Sequence, residues 1–176
     1  TNFIAYDSSY DEEYLLLLTA SLDSHSEHPV AHALMNYWKE KQPESNLINV
    51  DEFTALPGRG VKGRINQELY YVGNHQLAED NKVCNAIVEQ LLKQLEEEGK
   101  TTVILSNSIK VLAIFAVADT LRSTSKNAIE QLHRQGIKTT MLTGDNAITA
   151  QAIAKLVGID EVKANVLPTD KMDAIE

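Results

Sequence analysis

The chain lacks the features that would link it to nucleic acid, a lipid surface or a disulfide framework. Its single cysteine, Cys84, excludes an internal disulfide and any zinc site built from several cysteines. It has 16 lysines and arginines against 25 aspartates and glutamates, with a net charge of -9 and no basic run. This balance argues against nucleic acid and anionic membranes as partners. No segment has the pattern of a membrane span or a signal peptide, which favours a cytoplasm-like compartment.

The chain has 176 residues, 43% of them hydrophobic, so it can bury a core for one domain or two small ones. Thr1 is an unusual first residue, and the last residue, Glu176, lies inside an amphipathic helical pattern. We therefore expect a fragment of a longer protein.

Two kinds of pattern divide the sequence. In residues 1–117, two amphipathic helical segments precede short strand-like runs separated by glycines, and a hairpin is expected across Ser-Asn-Ser-Ile. In residues 118–176, helical segments alternate with short apolar runs, which is typical of a parallel sheet. We predict an α+β domain, an antiparallel sheet flanked by helices, joined to a partial Rossmann-type α/β domain.

Two junctions between a strand and a helix in the second part are candidates for a phosphate site. Thr143, Gly144 and Asp145 follow an apolar strand at the carboxyl edge where ligands bind in such sheets. Lys171 follows the next junction and could neutralise a phosphoryl group. The alternatives are a tight turn with a helix cap and a solvated lysine.

Glycine-containing turns form a second candidate site in the first part. Gly58 and Gly60 flank one turn, and Gly73 and Asn74 end a neighbouring strand. Glycine allows a flat ligand to approach the backbone, and an amide could hydrogen-bond its edge. Ordinary bulges and turns explain the same residues.

His25, His28 and His32 have a spacing that would suit metal on a helix. Pro29, however, starts a helix and leaves His28 in the cap region, outside the regular turns. A metal site would also have to recruit Asp23 and Glu27. We expect no metal ligand here, and a metal-sensing module remains the alternative of a different class.

Taken in order, the motifs resemble the ATP-binding region of heavy-metal-transporting P-type ATPases over nearly the whole chain. The matching stretches are Ser26-Glu27-His28-Pro29, Gly58-x-Gly60, Gly73-Asn74, Asp119-x-x-Arg122, Thr143-Gly144-Asp145-Asn146 and Pro168-x-Asp170-Lys171. The sequence of the stretches around these motifs is most similar to that of the zinc, cadmium and lead pumps. Copper pumps are the closer alternative. A second alternative, an independent phosphatase of the same superfamily, would need an Asp-x-Asp pair after an early strand, and this sequence has none there.

The resemblance implies a nucleotide-binding domain (1–117) and part of a phosphorylation domain of the haloacid dehalogenase-like type (118–176). It also implies ATP and Mg²⁺ as cofactors. The adenine site would use Asp23, where the family usually has Glu, with Glu27, His28, Gly58, Gly60, Val61, Gly73 and Asn74. The phosphoryl site would use Thr143, Gly144, Asp145 and Lys171, with Asp119 and Arg122 at the hinge.

The departures from the family pattern limit what the chain is expected to do. Neither the Asp-Lys-Thr-Gly-Thr motif of the phosphorylated aspartate nor the Gly-Asp-Gly-x-Asn-Asp motif of the magnesium site occurs. We expect a monomeric, ATP-binding cytoplasmic part of a plasma-membrane metal exporter, unable to pump by itself. Its partners would be the rest of the phosphorylation domain, an actuator domain and transmembrane helices, and no nucleic acid.

Overall fold

The computed structural model of the chain describes residues 2–5, 7, 9–26, 28–118 and 123–166. The chain forms two compact units, residues 1–92 with 102–117 and residues 93–101 with 118–176. The helices are α1 (Glu12–Asp23), α2 (Pro29–Lys41), α3 (His75–Asp80), α4 (Ala86–Glu97), α5 (Ser123–Arg134) and α6 (Ala147–Val157). The strands are β1 (Asn2–Ala5), β2 (Asp51–Leu56), β3 (Gly60–Ile65), β4 (Glu68–Gly73), β5 (Lys100–Asn107), β6 (Val111–Ala118), β7 (Thr140–Leu142) and β8 (Glu161–Lys163).

The main sheet has six strands in the order β1-β6-β5-β4-β3-β2. The pairings β1–β6, β2–β3, β3–β4 and β4–β5 are antiparallel, and β5 and β6 are neighbours as the predicted hairpin requires. Strands β7 and β8 form a separate parallel pair. The predicted fold class, an antiparallel sheet with helices and an α/β segment, is confirmed.

Helices α1 and α2 cover one face of the main sheet because each carries a regular apolar stripe. Leu15, Leu18 and Leu22 of α1 are fully buried at positions i, i+3 and i+7, and Leu34 and Trp38 continue the core from α2. The strands contribute the alternate residues that face these helices, namely Val61, Ile65, Tyr70, Val72, Val103, Leu105, Ala113 and Phe115. This packing fixes the ends of α1 and α2 over the sheet.

Two elements of the first unit were not predicted. β1 lies at the edge of the sheet beside β6, and the rings of Phe3 and Phe115 stack with centroids 4.8 Å apart. α3 is only six residues long and follows directly after β4. Both are short, so neither has enough residues to show a hydrophobic period in the sequence.

The second unit contains an α/β segment in which β7, α6 and β8 follow one another. α6 begins at the cap residue Asn146, whose Oδ1 accepts from Thr149 N at 2.9 Å, and ends at Gly158 in the left-handed conformation.

At the other end of β7, Asp160 accepts from Thr139 N at 2.8 Å and lies 3.0 Å from His133 Nε2. These interactions hold the pKa of Asp160 below its usual range, and the hydrogen bond from the Thr139 amide has the largest effect. Among the described residues, no helix is long and apolar enough to cross a membrane.

Candidate functional site

His28 is the N-cap of α2, as its position before Pro29 predicted. Its backbone is extended, and its Nδ1 accepts a hydrogen bond from Val30 N at 3.3 Å. Nδ1 must therefore be unprotonated, which in the neutral ring places the proton on Nε2. The side chain of Ser26 accepts from His28 N at 3.3 Å and helps to hold the residue. His28 is exposed, so its ring can present a face and an N–H group to a ligand. Glu27 lies outside the described residues.

Asp23 ends α1 and is buried, with only 5% of its surface exposed. None of the described residues hydrogen-bonds to its buried Oδ2. Burial disfavours the ionised form and raises the pKa of Asp23 to about 7. The carboxyl group therefore lies beneath the surface, where its Oδ2 can accept a hydrogen bond that none of the described residues donates.

Asn74 connects the glycine turn to α3. Its Nδ2 donates to the Gly58 carbonyl at 2.9 Å, and its Oδ1 accepts from Leu77 N at 3.1 Å as the N-cap of α3. Its backbone N–H also donates to Arg59 O at 2.9 Å, and Arg59 forms an ion pair with Asp80 at 3.0 Å. Asn74 thus positions the Gly58 turn, and its amide already has partners where the sequence suggested an edge contact to a ligand.

Gly60 and Gly73 face each other as a register pair between β3 and β4. A Cβ at Gly60 would lie 2.1 Å from Val72 O, and a Cβ at Gly73 would lie 2.3 Å from Arg59 O. Both glycines are therefore required by the close approach of the two backbones, whether or not a ligand binds. Val61, beside Gly60, is 5% exposed and belongs to the core.

The histidine cluster considered as a metal site does not form among the described residues. His28 uses Nδ1 for the helix cap, while His25 packs on Phe53 with ring centroids 4.9 Å apart. His32 is exposed on α2. Where the structure describes the chain, the group with metal-ligand spacing is a different one, His75, Cys84 and Glu89.

The predicted phosphoryl site lies in the loop after β7. Thr143 Oγ1 donates to Asp145 Oδ2 at 3.0 Å and accepts from Asp145 N at 3.1 Å, so two reciprocal hydrogen bonds fix the conformation of both residues. Thr101 Oγ1, in the same unit but 44 residues away, donates to the other carboxylate oxygen of Asp145 at 3.4 Å. The loop is tied to the end of β8, because Thr143 N donates to Lys163 O and Asn165 N donates to Asp145 O.

Thr101 was missed by sequence reasoning, since nothing in its neighbourhood distinguishes it from other strand residues. Only the folded chain brings it to Asp145. Lys171, Asp119 and Arg122 lie outside the described residues, so their predicted roles stay predictions.

Gly144 has room for a side chain, unlike Gly60 and Gly73. A Cβ there would lie 3.6 Å from Val166 O, an ordinary van der Waals distance. We therefore expect Gly144→Ala to change the free energy of unfolding by less than about 1 kcal/mol. Urea unfolding followed by far-ultraviolet circular dichroism measures this, and a loss of several kcal/mol would contradict the open geometry.

Residues 3–176 match the haloacid dehalogenase-like hydrolase family. The chain belongs to this family. It is 46% identical over 156 residues to a copper-exporting P-type ATPase of Staphylococcus haemolyticus (strain JCSC1435), a match that covers 89% of the chain and 19% of that protein. It is 37% identical over 179 residues to a cadmium-transporting ATPase of Staphylococcus aureus, covering 100% of the chain and 25% of that protein.

These matches confirm the resemblance to heavy-metal P-type ATPases, and they include names of both the copper and the cadmium type. The chain spans about a fifth to a quarter of the length of these two relatives. Among solved structures, the catalytic domain of a CPx-ATPase superposes with a TM-score of 0.72 at 24% identity. That superposition covers 99% of this chain and 57% of the other, and it shows that the haloacid dehalogenase-like chain shares this fold.

Proposed function

We propose that this chain is the ATP-binding part of a heavy-metal P-type ATPase, with a segment of its phosphorylation domain. The observation that carries the proposal is the geometry of His28. The helix cap fixes its ring through Nδ1 and leaves the ring exposed at the start of α2. An aromatic ring held in this way can stack on a base at little cost in conformational entropy.

The proposed adenine site uses the end of α1, the start of α2 and the Gly58 turn. Oδ2 of Asp23, to which none of the described residues hydrogen-bonds, supports a hydrogen bond from the exocyclic amine of adenine, a neutral donor that suits a buried acceptor. Because Asp23 is already buried, the base can reach it only if the residues that cover it move. The remaining proposed residues of this site are Glu27, Gly58, Gly60, Val61, Gly73 and Asn74.

The proposed phosphoryl site uses Thr143, Gly144, Asp145 and Lys171. The N–H of Gly144 is a donor suited to phosphoryl oxygens, and a lysine would add positive charge. The hydroxyl of Thr143 could also donate to a phosphoryl oxygen, once it turns away from Asp145 Oδ2. Mg²⁺ would enter with ATP, and Asp145 could supply one oxygen ligand. Both Asp145 oxygens already accept from threonine hydroxyls, so one of these hydrogen bonds would have to open for Asp145 to bind Mg²⁺. The other ligands would come from the family motif that this sequence lacks.

The proposed reaction of the parent protein is transfer of the γ-phosphoryl group to an aspartate outside this sequence, coupled to metal transport across the plasma membrane. Asp119 and Arg122 are proposed to shape the hinge between the two domains. The similarity of the sequence around the motifs to zinc, cadmium and lead pumps favours export of one of those ions. The 46% identity to a copper exporter favours copper. ATPase assays of an intact pump containing this chain, with each cation in turn, would decide between them.

The test of nucleotide binding separates the ring of His28 from its cap. Asparagine is a good N-cap without an aromatic ring, so His28→Asn should keep α2 but lose the base stack. Because stacking a base contributes about 1–3 kcal/mol, we expect ATP affinity to fall roughly tenfold. Isothermal titration calorimetry measures the affinity, and the urea midpoint of Trp38 fluorescence checks α2.

His32→Ala serves as the matched control, because His32 is exposed on the same helix and has no proposed contact with ATP. It should bind ATP as the parent does. If His28→Asn also bound ATP as tightly as the parent, His28 would be only a helix cap and this proposal would lose its main support.

A further inference from the structure

A cluster of three metal-ligand side chains lies outside both proposed sites. His75 starts α3, Cys84 lies in the connection to α4, and Glu89 lies in the first turn of α4. Their donor atoms, an imidazole nitrogen, the thiol sulfur and a carboxylate oxygen, all lie within 4.8 Å of one another. The proposed nucleotide and phosphoryl sites use none of these residues.

The donor atoms suit a borderline-soft divalent cation. Thiolate, imidazole and carboxylate together favour Zn²⁺ or Cd²⁺, whereas Mg²⁺ and Ca²⁺ prefer sites made only of oxygen ligands. Zinc lies about 2.0–2.3 Å from such atoms, which places tetrahedral ligands roughly 3.5 Å apart. The widest donor separation, at most 4.8 Å, therefore needs to contract by at most about 1.3 Å, and the 2.9 Å separation of His75 and Glu89 needs to widen slightly. Both movements are within reach of side-chain rotation.

The cluster is accessible from solvent without being fully exposed. The side chain of His75 is 22% exposed and that of Glu89 is 41% exposed, and their Nε2 and Oε2 atoms lie 2.9 Å apart. A cation can therefore enter, and water can occupy a fourth coordination position. The hydrogen-bonded carboxylate and imidazole already hold one edge of the ligand set in place.

We propose that His75, Cys84 and Glu89 bind Zn²⁺ or Cd²⁺, a function beyond the proposed ATP site. On binding, the Cys84 thiol releases its proton to water as the sulfur–metal bond forms. The proton that His75 Nε2 shares with Glu89 passes through water to Nδ1 of the neutral ring, so that Nε2 and the carboxylate can both bond to the cation. No electrons are transferred, and the cation remains divalent.

The cation would pin α3 to the start of α4. His75 directly follows Asn74, which caps α3 and holds the carbonyl of Gly58. Binding would therefore also restrain the Gly58 turn. This connection gives the site a second readout, because a ligand that binds only the folded state raises the urea midpoint.

The test is a Cd²⁺ titration of the whole chain without nucleotide, followed by the ultraviolet absorption of the cadmium–thiolate bond. We expect one equivalent to bind, with the absorption lost in Cys84→Ser. Affinity should fall at least tenfold in His75→Gln and in Glu89→Gln. The Trp38 urea midpoint should rise with Cd²⁺ in the parent and not in Cys84→Ser.

Two controls keep this test decisive. His32→Ala should bind Cd²⁺ as the parent does, and unfolding in the presence of a chelator shows whether each variant is folded. If Cys84→Ser did not fold, the two variants at the more exposed positions would carry the test. Unchanged affinity in both His75→Gln and Glu89→Gln, or no thiolate absorption in the parent, would overturn the site. Because ATP is absent, neither result bears on nucleotide binding.

Discussion

Asp23→Asn should make the first unit more stable than the parent by roughly 2 kcal/mol at pH 8, and less stable than the parent by roughly 1–2 kcal/mol at pH 4. Burial raises the pKa of Asp23 from 3.8 to about 7, so at pH 8 the parent holds an ionised carboxylate in a buried position. None of the described residues hydrogen-bonds to its Oδ2 to offset this cost. The amide is neutral at every pH and carries only its own smaller desolvation cost.

The sign of the pH dependence follows from proton binding. The folded state binds the Asp23 proton more tightly than the unfolded state, so the stability of the parent falls as the pH rises from about 4 to about 7. Three pKa units correspond to an upper limit of about 4 kcal/mol. The cost of burying the amide reduces the net gain of the variant to about half of that.

Fluorescence of Trp38 provides the measurement, because it is the only tryptophan and is buried in the first unit. Urea midpoints of parent and variant should be compared between pH 4 and pH 8. Glu40→Gln is the matched control, since it makes the same chemical change at an exposed position of α2. A difference between parent and Asp23→Asn that stays constant with pH would show that Asp23 is not protonated when buried.

Gly60→Ala should destabilise the first unit by roughly 3 kcal/mol or more. Gly60 has φ +146°, a conformation that residues with a side chain rarely adopt, and its new Cβ would lie 2.1 Å from the carbonyl oxygen of Val72. The obstacle is backbone in the neighbouring strand, so relief requires the β3–β4 pairing to open. A side-chain rotation cannot provide it.

Gly63→Ala on the same strand is the matched control. Its Cβ would meet side chains, Val50 Cγ1 at 2.4 Å and Leu22 Cδ2 at 2.9 Å, and its φ is not in the left-handed range. Side chains can move, so we expect a smaller loss of about 1–2 kcal/mol. Equal urea midpoints for the two variants would contradict the argument. Loss of ATP binding in Gly60→Ala would not identify a contact, because the strand pairing itself would be disturbed.

Local sequence signals were sufficient for most of the helices and strands. The amphipathic pattern predicted α1, and Pro29 correctly placed His28 at the start of α2. The glycine-separated runs predicted β2, β3 and β4. These signals operate within one or two turns or strand pairs, so no tertiary information was needed. The short elements β1 and α3 carry no such period and were missed.

The sequence by itself determined the fold class and the resemblance to heavy-metal P-type ATPases, because caps, hydrophobic periods and ordered motifs are written in local residues. Only the tertiary structure showed that Asp23 is buried with an oxygen that lacks a partner in the described part of the chain, that Asn74 holds the Gly58 turn, and that Thr101 reaches Asp145. It also showed that Gly60 and Gly73 are required because the two backbones approach closely, and it brought His75, Cys84 and Glu89 together in a cluster. Each of these depends on strand order and helix packing, which bring distant residues together and which no short stretch of sequence specifies.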